Sequence, residues 1–185
     1  MKTLYQVFES MHELYHFTDG SSLASILKSD TFTASHDDGF NPKGYDYFMS
    51  TTRMQYSGTG YPTTMLATDL CKIVLKGRTL NSRFRIVPIN FQGNTKAHAI
   101  RVNWNDPKYF DDYKEERMRQ PYVEAEDRVL LKQSTIKDFH KYIERIYIDT
   151  NTIGAKDADD IIQYAERLGI PVDVTLTTKE FMMAH

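Results

Sequence analysis

The sequence predicts an α+β protein built mainly on antiparallel sheet. Three observations lead there. Short runs rich in aromatic, β-branched and threonine residues (ELYHFT, YFMSTT, CKIVLKG, FRIVPIN, IERIYID) recur between turn-forming clusters. Helical spacing is confined to a few flanking segments. The chain of 185 residues, 41% hydrophobic and 26% charged, has an ordinary globular composition and is long enough to bury a core without disulfides. No internal repeat or low-complexity linker interrupts it, so one domain over residues 1–185 is expected.

The elements follow in order. Leu4, Val7, Phe8, Met11, Leu14 and Tyr15 recur at helical spacing and predict a lead-in helix within residues 1–12. ELYHFT is a strand. Asp19 or Ser21 can cap a helix over SSLASILKS, with Leu23, Ile26 and Leu27 facing inward. TFTAS is a strand, and residues 36–46, rich in Gly, Asp, Asn and Pro, are a loop. YFMSTT is a strand, followed by an exposed loop over 53–63 with Gly58, Gly60 and Pro62. CKIVLKG is a strand ended by Gly77, and Pro88 marks FRIVPIN as an edge or bent strand. PKYFDDYKEERMRQ reads as a helix with Pro107 in its first turn. YVEAEDRVLL alternates, placing Val123, Ala125, Asp127 and Val129 on one face and Glu124, Glu126, Arg128 and Leu130 on the other. IERIYID is a strand, DADDIIQYAERLG an amphipathic helix ended by Gly169, and IPVDVTL the last strand.

Composition excludes several classes of function. No run approaches the roughly 18 apolar residues of a membrane span, and the first residues lack a signal-peptide core. The lone cysteine, Cys71, forbids an internal disulfide and fits a reducing, cytoplasmic setting. A net charge of −2 argues against a protein that coats nucleic acid by charge alone. That charge is unevenly spread. Residues 70–105 hold seven Lys/Arg (Lys72, Lys76, Arg78, Arg83, Arg85, Lys96, Arg101) and no acidic residue. Such a block is either a solvated set of strand edges and loops or a surface for a phosphate-bearing partner.

His12-Glu13-Leu14-Tyr15-His16 matches the H-E-x-x-H zinc-protease pattern. The chemistry needs both histidines on one helix face and a third ligand downstream, and no convincing third ligand follows. Zinc hydrolysis is therefore the weakest of three readings, and no metal is expected.

Three segments carry more information together than apart: LYHFT with the helix after it, YFMSTTR, and VEAEDRVL. Their order and spacing, with the IERIYI strand and the helix–IPVDV ending, resemble the ADP-ribosyltransferase fold family, in particular small phage and mobile-element members that open with a Tyr-His-Phe-Thr strand. The resemblance runs from residue 14 to about 175. It implies a split antiparallel β-sheet core with flanking helices, and an NAD cleft between two small sheets. It implies that His16, with Thr18 beside it, binds an NAD ribose, and that Ser50-Thr51-Thr52, departing from Ser-Thr-Ser at Thr52, shapes the nicotinamide side. It implies that Glu126 of Glu124-x-Glu126 is catalytic. The first-strand His departs from the Arg usually paired with the other two motifs, which leaves the acceptor open between a protein side chain and a nucleic acid. A phage or mobile-element origin would place the protein in a host bacterial cytoplasm.

The residue chemistry is compatible. Loss of nicotinamide leaves an oxocarbenium-like ribose, as in glycoside cleavage. A carboxylate beside it stabilises developing positive charge. Glu124 and Glu126 lie about 7 Å apart along one strand by the pleat repeat, so one can serve the ribose and the other the incoming nucleophile. Arg53 can meet a pyrophosphate through its planar fork, and Tyr45, Tyr47, Tyr56 or Tyr61 can stack on nicotinamide. Read conservatively, His16 is a hydrogen-bonded strand histidine, and Glu124, Glu126 and Arg128 are a solvated strand face sharing an ion pair. A catalytically inactive binding module that uses the basic block is the second reading.

Overall fold

The computed structural model describes residues 13–39, 41, 43–51, 71–89 and 126–175. In chain order these form β1 (Glu13–Thr18), α1 (Gly20–Ser29), β2 (Thr31–Thr33), β3 (Ser35–His36), β4 (Tyr47–Thr51), β5 (Cys71–Lys76), α2 (Gly77–Arg83), β6 (Arg85–Ile89), β7 (Glu126–Leu131), β8 (Thr135–Lys137), a 3-10 turn (Phe139–Tyr142), β9 (Ile143–Asp149), α3 (Ala155–Leu168) and β10 (Val172–Thr175). The expected α+β class holds. The lead-in helix within 1–12, the loop over 53–63 and the helix at 107–120 lie outside the described residues.

Two compact units interleave along the chain. One contains the four-stranded sheet β3-β4-β7-β6, antiparallel throughout. Pro88 sits in β6, an edge strand, where its missing N–H leaves no gap in the middle of the ladder. Phe48, Met49, Ile86, Val129, Leu130 and Leu131 are buried apolar residues of this sheet. Gly77 ends β5 as expected, but GRTLNSR continues as the seven-residue helix α2. That helix buries only Gly77 and Leu80, too few apolar positions to show helical periodicity in the sequence.

The other unit contains the sheet β1-β5-β9-β10 and the two-stranded sheet β2-β8. Here β10 runs parallel to β9, with α3 as the connecting helix between them. The amphipathic face of α3 buries Ala158, Ile161 and Ala165, and Gly169 ends it at φ 70°, a left-handed conformation that suits glycine. Helices α1 and α3 approach closely at Gly20, where a Cβ would stand 3.2 Å from the Asp157 Cβ. No helix among the described residues is long and apolar enough to cross a membrane.

Asp19 caps α1 as expected. Its carboxylate accepts from the Ser22 amide, the Ser22 hydroxyl and the Ser21 hydroxyl, each at 2.7 Å. Partial desolvation pushes this carboxyl up, but the Ser22 and Ser21 hydrogen bonds outweigh it and bring it down to about 2. At the other end Asp30 adopts the left-handed conformation (φ 49°), and its carboxylate accepts from the His140 amide and meets His140 Nδ1 at 2.6 Å. Asp19→Ala should cost about 1 kcal/mol of stability at neutral pH, measured by urea unfolding. Because the folded carboxyl is the stronger acid, the cap's contribution is full above the ordinary value of 3.8 and fades as pH falls toward about 2. Wild type and Asp19→Ala should therefore converge in stability over that interval.

Candidate functional site

The β4–β7 register gathers the second and third sequence motifs in one sheet. Ser50 stands opposite Arg128, Thr51 opposite Asp127 and Phe48 opposite Leu130. Across β7, Val87 stands opposite Arg128 and Ile89 opposite Glu126. Directly opposed residues of an antiparallel pair share a face, so Phe48, Ser50, Leu130 and Arg128 lie on one side. Along that side Ser50 is exposed, whereas Phe48 and Leu130 are buried. Thr51, on the opposite face, is buried, and its hydroxyl donates to the Asp127 carbonyl at 2.5 Å, locking the two strands together.

Arg128 is not part of a solvated face. It is 1% exposed. Its guanidinium lies 3.6 Å from the centre of the Phe48 ring and forks onto Asp38, with Nη1 donating to Oδ1 at 2.7 Å and Nη2 to Oδ2 at 2.9 Å. Nη1 also donates to Asn41 Oδ1 at 3.2 Å, and the Asp37 carboxylate stands 3.8 Å away. These partners come from the 37–46 loop, some ninety residues earlier. The loop closes on itself: Asp37 N–H donates to the Asp46 carbonyl, Asn41 N–H to Asp37 Oδ1, and Asn41 Nδ2 to the Tyr45 and Tyr47 carbonyls. Strand alternation placed Arg128 on the correct face but could not show that a distant loop covers it.

In the other unit, His16 and Thr18 are half-buried on β1. The His16 ring meets Phe32 edge-on, with centroids 5.1 Å apart, and Phe32 in turn packs on Phe139 at 5.0 Å. These aromatics orient His16, and no sequence signal tied them to it. Lys72 of the basic block is buried between the Tyr15 and Tyr147 rings, its ammonium 5.9 and 4.8 Å from their centroids, so it is neither a solvated edge charge nor a surface contact. Lys76, Arg78 and Arg83 are exposed, and Arg85 is half-buried. Glu13 to His16 are strand, not the helix that H-E-x-x-H chemistry requires. No group of three or more His, Cys, Asp or Glu able to hold a metal ion occurs among the described residues.

This arrangement of strands and helices has solved counterparts. No protein-family model matches the sequence, and no curated protein matches it either. Among solved structures, a Thermus sp. 2.9 DarT in complex with carba-NAD+ superposes with a TM-score of 0.55 at 10% identity, over 91% of this chain and 96% of that one. The same DarT in complex with ADP-ribosylated ssDNA gives 0.53 at 9% identity, over 89% and 94%. Thermosipho africanus DarTG in complex with ADP-ribose gives 0.53 at 15% identity, over 87% of this chain and 49% of that one. The chain has the DarT ADP-ribosyltransferase fold.

Within this DarT-like fold, Ser50, Thr51 and the backbone of Glu126 occupy neighbouring strands of one sheet, and His16 and Thr18 belong to β1. Thr52, Arg53, Glu124, His12, Tyr56, Tyr61, Lys96 and Arg101 lie outside the described residues. Tyr45 and Tyr47 are half-buried, with the Lys132 ammonium 5.9 Å from the Tyr45 ring centroid and the His36 ring edge-on to Tyr47.

The ion pair is asymmetric: Arg128 is 1% exposed and Asp38 48%. Asp38→Ala strips a buried cation of its forked acceptor and should cost about 2 kcal/mol. Arg128→Met keeps an unbranched side chain against Phe48 and leaves a carboxylate that water can reach, so it should cost less, about 1 kcal/mol or under. Chemical unfolding of the two variants checks the order.

Proposed function

We propose that the protein transfers ADP-ribose from NAD to a macromolecular acceptor and releases nicotinamide. The observation that carries this reading is the likeness of its fold, over 91% of the chain, to a DarT structure in complex with carba-NAD+. For the acceptor, the DarT complex with ADP-ribosylated ssDNA favours a nucleic acid over a protein side chain. The exposed Lys76, Arg78 and Arg83 supply charge for a phosphate backbone. The protein acts as a single domain, in a host cell's cytoplasm.

The roles are those the family resemblance implies, and the chemistry of the groups is compatible with them. Ser50, an exposed residue in the strand pinned by Thr51, faces the amide edge of nicotinamide, with Thr52 completing that side. His16 and Thr18 hold a ribose, and Arg53 meets the pyrophosphate. Glu126 stands beside the ribose carbon as the bond to nicotinamide lengthens, and its carboxylate is worth most when positive charge has developed. Glu124 orients the acceptor nucleophile.

Glu126→Gln keeps shape and removes charge. NAD should still bind, while the rate of nicotinamide release falls about 10²–10³-fold. His16→Ala should raise the dissociation constant for NAD instead, since a ribose-holding group acts in the ground state too. Equilibrium NAD titration alongside nicotinamide release separates the two. Wild-type turnover by Glu126→Gln would remove Glu126 from the mechanism. Glu124→Gln as the dead variant would exchange the two carboxylate roles.

A further inference from the structure

We infer that Arg128 is a positioning residue for the NAD donor, acting through the 37–46 loop. The inference rests on the NAD-dependent reading above and adds to it a role for Arg128, which the sequence placed only on a strand face with Glu124 and Glu126. A buried ion pair is poor evidence of stabilisation, since an apolar pair of similar volume often serves as well. Arg128 does what an apolar residue cannot: its fork fixes Asp38 and Asn41 in one geometry relative to β7. Asn41 passes that geometry on through its side-chain amide to the Tyr45 and Tyr47 carbonyls.

The location gives the clamp its consequence. Arg128 is the register partner of Ser50 and lies two residues after Glu126 in β7. On this face Arg128 is buried and the adjacent Ser50 is exposed. The guanidinium that holds the loop lies over Phe48, the next residue along this face from Ser50. A donor seated against Ser50 has the loop as its wall, and the wall stands where Arg128 sets it. Releasing the loop weakens donor seating and leaves the charge-stabilising carboxylate in place.

The test compares the full-length chain with Arg128→Met, Arg128→Lys and Asp38→Asn. Steady-state NAD consumption and tryptic cleavage after Lys43, the exposed lysine in the loop, are measured on each. Arg128→Met should raise KM for NAD about tenfold or more, with kcat within about threefold of wild type. Arg128→Lys, which keeps the charge without the fork, should fall between, as should Asp38→Asn. Cleavage after Lys43 should quicken in the order wild type, Arg128→Lys, Arg128→Met, and saturating NAD should slow it in wild type. A merely structural role gives a different pattern, in which the active fraction drops, kcat falls and KM stays put. That pattern, or an unchanged KM in Arg128→Met, overturns the inference. So does a Lys43 site as resistant in Arg128→Met as in wild type. A wild-type chain that neither binds nor consumes NAD overturns the donor reading itself, a result distinct from an active wild type with an indifferent Arg128→Met.

Discussion

Taking a guanidinium out of water costs several kcal/mol unless its donors are met, and in β7 this constraint organises everything around it. Arg128 is met by a forked carboxylate from Asp38, by the Asn41 side chain and by the face of Phe48. Those partners are available only if β4 and β7 pair in the observed register and the 37–46 loop folds back over the sheet. A slip of one residue would turn Arg128 to the face that holds Met49 and Val129. The buried charge thus makes the alternative registers expensive. It also fixes which β4 residue, Ser50, stands opposite Arg128.

The other unit solves a similar problem with aromatic rings. Lys72 is inside the protein because Tyr15 and Tyr147 flank its ammonium, and His16 is oriented by the Phe32–Phe139 pair. In both units a polar group named in the sequence is held against an aromatic ring by residues distant in the chain, with Arg128 also forked onto Asp38. The functional proposal needs groups held in fixed directions, and packing of this kind provides them.

Elements with local causes were legible in the sequence. The β1 strand, the Asp19 cap of α1, the Gly169 end of α3 and the edge position of Pro88 each follow from residues within a few positions of the feature. Helix α2 was not legible, because Leu80 is its one large buried apolar residue. Nor was the covering of Arg128: alternation along β7 gives its face, but only the fold brings Asp38 to it. The basic block was legible as charge and misleading as surface, since Lys72 belongs to the core while Lys76, Arg78 and Arg83 face water. The family resemblance drawn from Tyr-His-Phe-Thr, Ser-Thr-Thr and Glu-x-Glu anticipated the fold that the DarT structures share, at a sequence identity of about 10%. At that identity the likeness speaks for the path of the chain, and the roles proposed for His16, Ser50 and Glu126 rest on the motif resemblance and on the chemistry of the groups.

The central claim is that this chain moves ADP-ribose from NAD onto a macromolecule. The most direct measurement is intact-mass spectrometry of single-stranded DNA oligonucleotides incubated with the chain and NAD, with protein from the same lysate analysed in parallel. The account predicts oligonucleotides heavier by one ADP-ribosyl group, with free nicotinamide appearing in step. NAD left intact, with neither DNA nor protein gaining that mass, would contradict it.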